Sequence, residues 1–349
     1  VNWYRQNKRP LPWRSDPHPY KILISEFMAQ QTQIATVVPY FNRWMNQFPT
    51  IEDVARAEID TILKAWEGLG YYSRARNLHK TCQCITDMYN GIVPKDYDTL
   101  CSLPGIGPYI ASAIVSIAYK VPIAVVDGNV LRVFTRFWNI DDDIRRPSTK
   151  QIIQDKLTEP IVRSQSASCF NQGIMELGAT ICTPKTPKCL KCPIESSCQA
   201  YLHDRVNQLP IKSPAKKVPH HNIGIGVIWN NGKILIAKRP LDQMLGGLWE
   251  FPGGKQEDHE PIEQTVHREI KEETSLDVSI ISPLCSVKHA FSHFKITLHV
   301  YSCQYISGNA HPNSSTELKW VDPKELTHYA FPTANKKIIN VIFKSIDHA

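Results

Sequence analysis

The sequence contains no apolar run long enough to span a bilayer, no internal repeat and no low-complexity tract. A transmembrane helix and a repeat architecture are therefore not expected. Neither sign of charge dominates, because 40 lysines and arginines stand against 33 aspartates and glutamates, for a net charge of +7. This mild positive excess suits a partner that carries phosphates, but it is unlike the charge of a histone-like protein.

The cysteines do not form the pattern of a disulfide framework. Six of the ten are scattered along the chain, and the other four lie within residues 182–198. Scattered thiols beside one tight group indicate a reducing compartment and a metal site.

The 349-residue length and the 42% hydrophobic content favour two packed domains. Apolar spacing predicts an all-α domain over 1–204, a lysine- and proline-rich linker over 205–219, and an α+β domain over 220–349. In the second domain Asn-Asn-Gly at 230–232 predicts a hairpin turn. The predicted helices cover residues 20–31, 36–47, 59–67, 74–89, 110–119, 130–138, 170–181 and 260–274, and the predicted strands cover residues 223–229, 233–238, 278–281 and 294–305.

A glycine-containing turn between two helices is the most informative motif of the first domain. Residues 103–109 read Leu-Pro-Gly-Ile-Gly-Pro-Tyr, and residues 125–130 read Val-Val-Asp-Gly-Asn-Val. Such a hairpin can point backbone N–H groups at a phosphate. The pattern resembles the helix-hairpin-helix DNA glycosylases. The resemblance implies that Gly105 and Gly107 contact the DNA backbone and that Asp127 faces the sugar of an extruded nucleotide.

The clustered cysteines have the spacing x6, x2 and x5. Only one Cys-x2-Cys pair is present, whereas zinc sites usually use two. The spacing resembles the loop that holds a 4Fe–4S cluster in the endonuclease III and adenine glycosylase branch. Zinc or a metal-free loop are the alternatives. The ligands that the resemblance implies are Cys182, Cys189, Cys192 and Cys198.

Three lysines alternate with these cysteines. A rigid loop that presents them would bind phosphates without sequence preference, although solvated surface is the simpler interpretation. They are Lys185, Lys188 and Lys191.

A carboxyl group in apolar surroundings marks residues 25–32, which read Ser-Glu-Phe-Met-Ala-Gln-Gln-Thr. Apolar neighbours favour the neutral form of Glu26, so that it can donate a proton near neutral pH. An exposed Glu on an amphipathic helix is the alternative. This run and residues 65–78, Ala-Trp-Glu-Gly-Leu-Gly-Tyr-Tyr-Ser-Arg-Ala-Arg-Asn-Leu, closely resemble the MutY-type adenine DNA glycosylases.

The resemblance assigns a role to each residue of the candidate catalytic group. Glu26 would protonate adenine, and ionised Asp127 would stabilise the cationic sugar. Asn129 would support this carboxylate, and the Tyr109 hydroxyl would assist near it. The structural alternatives are that Asp127 only caps a helix and that Tyr109 is a packed ring.

Residue 109 also decides the reaction type. In the bifunctional relatives a lysine amine at this position attacks the sugar and permits strand cleavage. Tyr109 has no amine and cannot form a Schiff base. The sequence therefore predicts a monofunctional glycosylase that leaves an abasic site.

Extruding a nucleotide from a duplex requires side chains that fill the gap. By resemblance, Gln31 and Tyr71 enter the base stack, and Thr32 and Leu69 lie on the side of the partner base. Arg14, in a Pro-Trp-Arg run, would lie near the adenine pocket. The tyrosines at 71 and 72 are equally compatible with a packed core.

The second domain carries a Nudix signature, Gly-x5-Glu-x7-Arg-Glu-U-x-Glu-Glu-x-Gly-U, in which U is a bulky aliphatic residue. Residues 254–276 match every fixed position except the last glycine, which is Ser275. In Nudix hydrolases such glutamates bind Mg²⁺, which activates water against a diphosphate. We expect that Glu269, Glu272 and Glu273 could hold Mg²⁺.

A second motif of this domain, His-Ala-Phe-Ser-His at 289–293, matches the loop with which the fused family contacts 8-oxoguanine. This resemblance favours recognition by Phe291, Ser292 and His293 over hydrolysis. A polar hairpin tip is the structural alternative. The alternative function is a fusion whose Nudix domain also hydrolyses oxidised nucleoside triphosphates.

The sequence thus predicts a two-domain repair enzyme that removes adenine paired with 8-oxoguanine or guanine in double-stranded DNA. We expect it to act as a monomer, away from membranes, in the cytoplasm or at the nucleoid if the source is bacterial. Because the sequence begins at Val1, an N-terminal targeting segment could precede it. The rival hypotheses are a glycosylase/lyase and a silent mismatch-binding protein.

Overall fold

The computed structural model describes residues 1–214 and 218–347. Contacts divide the chain into two compact units. The described residues of the first unit are 1–56 and 77–214, and those of the second are 57–76 and 218–347. The stretch 57–76 thus groups with the second unit, although it lies within the predicted domain 1–204. Of the predicted linker 205–219, residues 205–214 belong to the first unit and 218–219 to the second, and 215–217 lie outside the described residues.

The first half of the chain is helical, as predicted. The helices before residue 214 are α1 (Asn2–Asn7), α2 (Pro12–Ser15), α3 (Pro19–Ala29), α4 (Ile34–Gln47), α5 (Ile51–Arg56), α6 (Ile59–Trp66), α7 (Ser73–Tyr89), α8 (Tyr97–Ser102), α9 (Pro108–Ile117), α10 (Gly128–Phe137), α11 (Pro147–Arg163), α12 (Ala167–Thr180) and α13 (Gln199–Leu202). Of these, α6 lies in the second unit.

The core of the first unit is built around α9, which is buried from Ile110 to Ile117. This helix packs against α3, α8 and α12, and α12 also packs against α10. Burial of so many aliphatic side chains supplies the main stabilisation of the unit. The packing fixes the polar residues that α3, α9, α10 and α12 carry.

The turn between α8 and α9 has the predicted form. Gly105 has a φ of +74°, and a Cβ atom there would lie 2.5 Å from Cβ of Asn77. Only glycine combines this backbone conformation with this close approach. Gly107 is the N-cap of α9, and Pro108 occupies its first turn.

The described part of the predicted linker packs within the first unit. Leu209 is buried, and its carbonyl oxygen accepts a hydrogen bond from Nε of Arg136 at 2.9 Å. The amide of Ser213 donates to Oδ2 of Asp143 at 2.9 Å. These contacts give residues 205–214 defined partners.

The second unit contains a seven-stranded sheet. The strands and remaining helices are β1 (His220–Asn230), β2 (Lys233–Lys238), β3 (Trp249–Glu250), β4 (Gly253–Lys255), α14 (Ile262–Thr274), β5 (Asp277–Ala290), β6 (Lys295–Ser307), β7 (Glu317–Val321) and α15 (Thr333–Asp347). The strand order is β3-β2-β1-β6-β5, and β4 also pairs with β1 and β7 with β2. The pairing of β1 with β6 is parallel, and the others are antiparallel.

Alternate side chains of the strands point to opposite faces of the sheet, and each face packs into its own hydrophobic core. Val227 belongs to the core shared with Ile338 of α15, whereas the next residue, Ile228, belongs to the core shared with Ile270 of α14. Period-two alternation of this kind is what a sheet covered on both faces requires. The sheet therefore lies between α14 and α15.

Two local predictions for this unit concern backbone conformation. Asn231 and Gly232 both have positive φ, as the predicted hairpin turn requires. Ser275 follows α14 with a φ of +62°, the left-handed conformation for which the Nudix signature uses glycine.

The sequence pattern did not predict β3, β4, β7 or α15. Within the described chain, no helix has the length and apolar character needed to cross a membrane.

Candidate active site

A cavity of about 170 Å³ in the first unit brings the predicted catalytic residues together. The sequence hypothesis requires the carboxyl groups of Glu26 and Asp127 to share a cavity, and both line this one. Other residues that line it include Arg9, Arg14, Thr32, Tyr109, Asn129, Gln172 and Glu176.

Glu26 lies on α3, and only 7% of the residue is exposed. Its Oε2 accepts a hydrogen bond of 2.7 Å from the hydroxyl of Tyr109. Burial raises the pKa of Glu26 to about 7; the Tyr109 hydrogen bond opposes this rise and the charge of Asp127 adds to it. A carboxyl group with this pKa can give or take a proton near neutral pH.

Asp127 both caps α10 and faces the cavity. Its Oδ1 accepts the amide of Val130 at 2.7 Å, and its Oδ2 accepts Nδ2 of Asn129 at 2.8 Å. Burial raises the pKa of Asp127 above its ordinary value, and these two donors, which favour the charged form, oppose only part of the rise. The capping interpretation and the catalytic interpretation of the sequence are therefore compatible in one geometry.

Asn129 is held in turn by Arg132. Nη2 of Arg132 donates to Oδ1 of Asn129 at 2.9 Å and to the carbonyl oxygen of Gly178, and Nε donates to the carbonyl oxygen of Cys182 at 2.8 Å. A Cβ atom on Gly178 would lie 2.7 Å from Cβ of Asn129. Hydrogen bonds thus run from the cysteine segment to the carboxylate of Asp127.

Glu176 is the main cavity residue that the sequence analysis missed. It is fully buried on α12 and accepts Nε of Arg9 at 2.7 Å and Nη2 of Arg14 at 2.8 Å. Burial would raise the pKa of Glu176, but the two guanidinium groups outweigh it and lower the pKa. The available signal was an acidic residue inside an apolar helical run, the same signal that identified Glu26.

The four clustered cysteines line one cavity whose other walls are largely apolar. Nη1 of Arg136, a buried residue of α10, donates to Sγ of Cys182 at 3.4 Å. Burial raises the pKa of the Cys192 thiol to about 11, and the neighbouring thiols add to the rise. Within residues 1–214 and 218–347, no three or more His, Cys, Asp or Glu side chains are grouped so that they could hold a metal ion.

The predicted stacking residues lie on surface turns. Gln31 and Tyr71 are exposed and have φ values of +54° and +48°, a costly conformation for residues with a Cβ atom. Thr32 lines the catalytic cavity, whereas Leu69 is buried and its carbonyl oxygen accepts a hydrogen bond from Arg74.

A second cavity of about 390 Å³ lies within the second unit. The Tyr71 hydroxyl and Oγ of Ser292 are 2.6 Å apart at this cavity. The ring of Phe291 lies 4.8 Å from that of Phe294. The cavity therefore joins one predicted stacking residue to the predicted 8-oxoguanine loop. Its lining includes Tyr71, Tyr72, Arg76, His289, Phe291, Ser292, His293, Phe294, Pro332 and Thr333.

Arg268 pairs with two of the three Nudix glutamates, Glu269 and Glu272, and the backbone holds the third. Arg268 donates to Oε1 of Glu269 at 2.9 Å, the amide of Gly253 donates to Oε2 of Glu273 at 3.0 Å, and Glu272 is largely exposed. Burial raises the pKa of Glu273 to about 7. Among the described residues these carboxylates do not form a group of three that could hold a metal ion, and Mg²⁺ binding here stays a prediction.

Two family models match separate parts of the chain. Residues 24–161 match the family model described as HhH-GPD superfamily base excision DNA repair protein, and residues 224–341 match the NUDIX domain model. A structure of a thermostable thymine-DNA glycosylase aligns with a TM-score of 0.53 and 27% identity over 58% of this chain and 93% of that chain. A non-covalent endonuclease III–DNA complex aligns with a TM-score of 0.50 and 27% identity over 58% of this chain and 92% of that chain.

Curated relatives match nearly the whole chain. The adenine DNA glycosylase of Rattus norvegicus is 34% identical over 98% of this chain and 76% of its own length. That of Homo sapiens is 33% identical over 98% of this chain and 72% of its own length. That of Buchnera aphidicola subsp. Baizongia pistaciae is 32% identical over 100% of this chain and 97% of its own length.

The fold, the cavity with two carboxyl groups and these matches define a helix-hairpin-helix DNA glycosylase with a Nudix-type second domain. The chain belongs to the adenine DNA glycosylase family.

Proposed function

We propose that the protein hydrolyses the N-glycosidic bond of adenine paired with 8-oxoguanine or guanine in double-stranded DNA, and that it leaves an abasic site. The observation that carries this proposal is the shared cavity, in which Glu26, hydrogen-bonded by Tyr109, faces the same space as Asp127. Glycoside cleavage needs two carboxyl groups in different protonation states. Glu26 accepts one hydrogen bond, from Tyr109, whereas Asp127 accepts two, which favour its charged form.

Glu26 acts as the general acid. Adenine leaves poorly as an anion, so bond cleavage requires a proton on the base. The raised pKa of about 7 keeps a large fraction of Glu26 protonated at neutral pH. After cleavage the same carboxylate can take a proton from the attacking water.

Asp127 stabilises the positive charge that develops on the sugar. The amide of Val130 and Nδ2 of Asn129 hydrogen-bond its two carboxylate oxygens and fix them in place. Donors that are already oriented favour the anion without reorganisation during the reaction. Arg132 holds Asn129 and acts as a positioning residue.

Tyr109 supports a monofunctional reaction. Burial, together with the charges of Glu26 and Asp127, raises the pKa of its phenol well above the ordinary value, so the hydroxyl stays protonated and donates to Glu26. A phenol at this position supplies no amine for a covalent imine with the sugar.

Glu176 and Arg14 provide polar contacts for the extruded base. The carboxylate of Glu176 can accept an exocyclic N–H of adenine, and Arg14 can donate to a ring nitrogen. Because Glu176 is fully buried between two guanidinium groups, its orientation is fixed before substrate binds. Selection of adenine is therefore assigned to this wall of the cavity.

The duplex is held by backbone amides of the hairpin at Gly105 and Gly107 and by the lysines of the cysteine segment. The four cysteines would hold a 4Fe–4S cluster, because all four line one largely apolar cavity and thiolates are the ligands that such a cluster takes. Bound there, the cluster would fix the loop that presents the lysines.

The cavity between Tyr71 and Ser292 is the proposed site for the base opposite adenine. Phe291 and Tyr71 offer ring faces for stacking, and Ser292 offers a hydroxyl that can donate or accept. A purine with an added oxygen and a ring N–H presents groups that such a hydroxyl can distinguish.

A glycosylase assay tests the proposed reaction. Duplexes that pair adenine with 8-oxoguanine, guanine or thymine are incubated with the full chain, with and without alkali, and with borohydride in a parallel sample. We expect faster adenine release opposite 8-oxoguanine than opposite guanine, strand breaks only after alkali and no trapped protein–DNA adduct. Equal rates on all three duplexes would contradict the assigned mispair, and a trapped adduct would contradict a monofunctional reaction.

Replacing Ser292 and His293 with alanine tests the opposite-base site. We expect the double variant to lose about tenfold of the preference for 8-oxoguanine over guanine, which is the cost of one lost hydrogen-bonding contact. The rate once adenine is bound should change little, because Glu26 and Asp127 are untouched. The ratio of single-turnover rates on the two duplexes measures the effect, and an unchanged ratio would assign recognition to other residues.

A further inference from the structure

We infer that Glu67 is a positioning residue for discrimination of the base opposite adenine. Its carboxylate fixes the turn that carries Tyr71 relative to the backbone that forms the opposite wall of the 390 Å³ cavity. The inference rests on the proposed function.

Glu67 follows α6, and 10% of its side chain is exposed. Its Oε1 accepts the amide of Phe331 at 2.9 Å. Its Oε2 accepts Nζ of Lys64 and Nζ of Lys336, each at 3.0 Å. Lys64 also donates to the carbonyl oxygen of Tyr329 at 2.9 Å. One carboxylate therefore joins α6, the segment before α15 and α15 itself, all within the second unit.

The charge of Glu67 is what holds this junction. Burial would raise its pKa, but the Phe331 amide and the two lysines outweigh burial and lower the pKa. The group is therefore ionised at neutral pH. Without the anion, the Phe331 amide, Lys64 and Lys336 would lose their shared acceptor, and α6 would no longer be joined to α15.

Hydrogen bonds within the turn that follows Glu67 hold the backbone conformation around Tyr71. The amide of Gly68 donates to the hydroxyl of buried Tyr72 at 3.1 Å. The carbonyl oxygen of Gly70 accepts Nε1 of Trp66 at 3.1 Å and Nη2 of Arg74 at 3.0 Å. These contacts hold Tyr71 at its positive φ, which would be unfavourable in a free loop.

Phe331, which donates its amide to Glu67, directly precedes residues that form the other side of the same cavity. Phe331 is buried and stacks on Phe251, with ring centroids 5.7 Å apart. The next two residues, Pro332 and Thr333, line the cavity together with Ser292. The carboxylate of Glu67 therefore helps to set the position of Tyr71 relative to this wall, together with the Tyr72 hydroxyl, which donates to the carbonyl oxygen of Phe331 at 3.5 Å.

Small displacements matter at this cavity because 8-oxoguanine and guanine differ only at C8 and N7. A hydrogen bond weakens steeply when its donor or acceptor moves by a few tenths of an ångström or tilts. A residue that never touches the base can then change the selectivity by changing the distance across the cavity.

The experiment compares full-length Glu67→Gln with the unmodified chain in single-turnover reactions on duplexes that pair adenine with 8-oxoguanine or guanine. We expect the ratio of the two rates to fall about tenfold, with the rate opposite guanine within about threefold of the original, as expected for lost positioning of a hydrogen-bonding group. Asp60→Asn is the matched control. It removes an ion pair with Lys238 of 2.8 Å from the same stretch of chain, away from this cavity, and it should leave the ratio unchanged.

Lys336→Met provides a second test that keeps Glu67 bonded to Phe331 and Lys64, so the fold is retained if Glu67→Gln proves unstable in thermal unfolding. We expect a loss of selectivity of about threefold for this variant. Equal losses on both duplexes, or an unchanged ratio in both variants, would overturn the role of Glu67. Absence of any preference in the unmodified chain would instead overturn the proposed function, and the inference with it.

Discussion

Replacing Glu26 with glutamine is expected to lower the single-turnover rate of adenine release by at least about 100-fold, the low end of general acid catalysis. Glutamine keeps the size of the side chain and can accept the Tyr109 hydrogen bond, but it has no proton to give to the base. Binding of the duplex should stay near the original, because Glu26 is buried in the cavity and glutamine keeps its size and its Tyr109 hydrogen bond. Chemical-quench kinetics with saturating enzyme measure the first quantity, and fluorescence anisotropy measures the second.

The pH dependence gives an independent check on Glu26. Because burial raises its pKa to about 7, the protonated fraction is high below this pH and falls as the pH rises through it. The rate of the unmodified enzyme should therefore decline above about pH 7. Glu26→Gln should lose this decline. A residual rate within tenfold of the original, or an unchanged pH profile, would remove Glu26 from the role of acid.

Replacing Asp127 with asparagine is expected to lower the same rate by about 100- to 1,000-fold, the typical cost of losing one electrostatic stabiliser of a transition state. Asparagine is as good a helix N-cap as aspartate, so the α10 terminus should be retained and thermal unfolding should change little. The variant thus separates the two roles of this residue. A large drop in thermal stability with only a small loss of rate would mean that capping is its main role.

A second readout follows from the coupling of the two carboxyl groups. The charge of Asp127 contributes to the raised pKa of Glu26. Removing that charge should lower the pKa of Glu26, so the decline in rate should begin at a lower pH in Asp127→Asn. The pH profile of the residual activity measures this shift, and a shift to higher pH would contradict the arrangement.

Much of the catalytic cavity could be predicted from short motifs. Short motifs identified three of the key positions. Gly105 lies in a turn that needs a positive φ, Asp127 lies at a helix N-cap, and Glu26 lies among apolar residues of one helix. The same holds for the turn at Asn231 and Gly232. Residues that act through their immediate neighbours in sequence leave such a signature.

Contacts between distant parts of the chain could not be predicted in this way. Glu176 meets Arg9 across 167 residues, and neither lies in a pattern that specifies the other. β7 is only five residues long and pairs with β2, more than 70 residues earlier. The Nudix signature matched in residue type, yet Arg268 and Gly253 direct two of its carboxylates to partners within the protein. Side-chain identity alone does not determine such orientations.

The grouping of residues 57–76 with the second unit has a consequence for shortened forms of the protein. A nonsense mutation near residue 215 would spare every proposed catalytic side chain, yet it would remove Phe331 and Lys336, the bonding partners of Glu67. Buried Trp66 and Leu63 belong to this stretch and would lose the unit with which they group. Such a truncation product should therefore keep the carboxyl groups of Glu26 and Asp127 but lose the contacts that fix the turn of Tyr71.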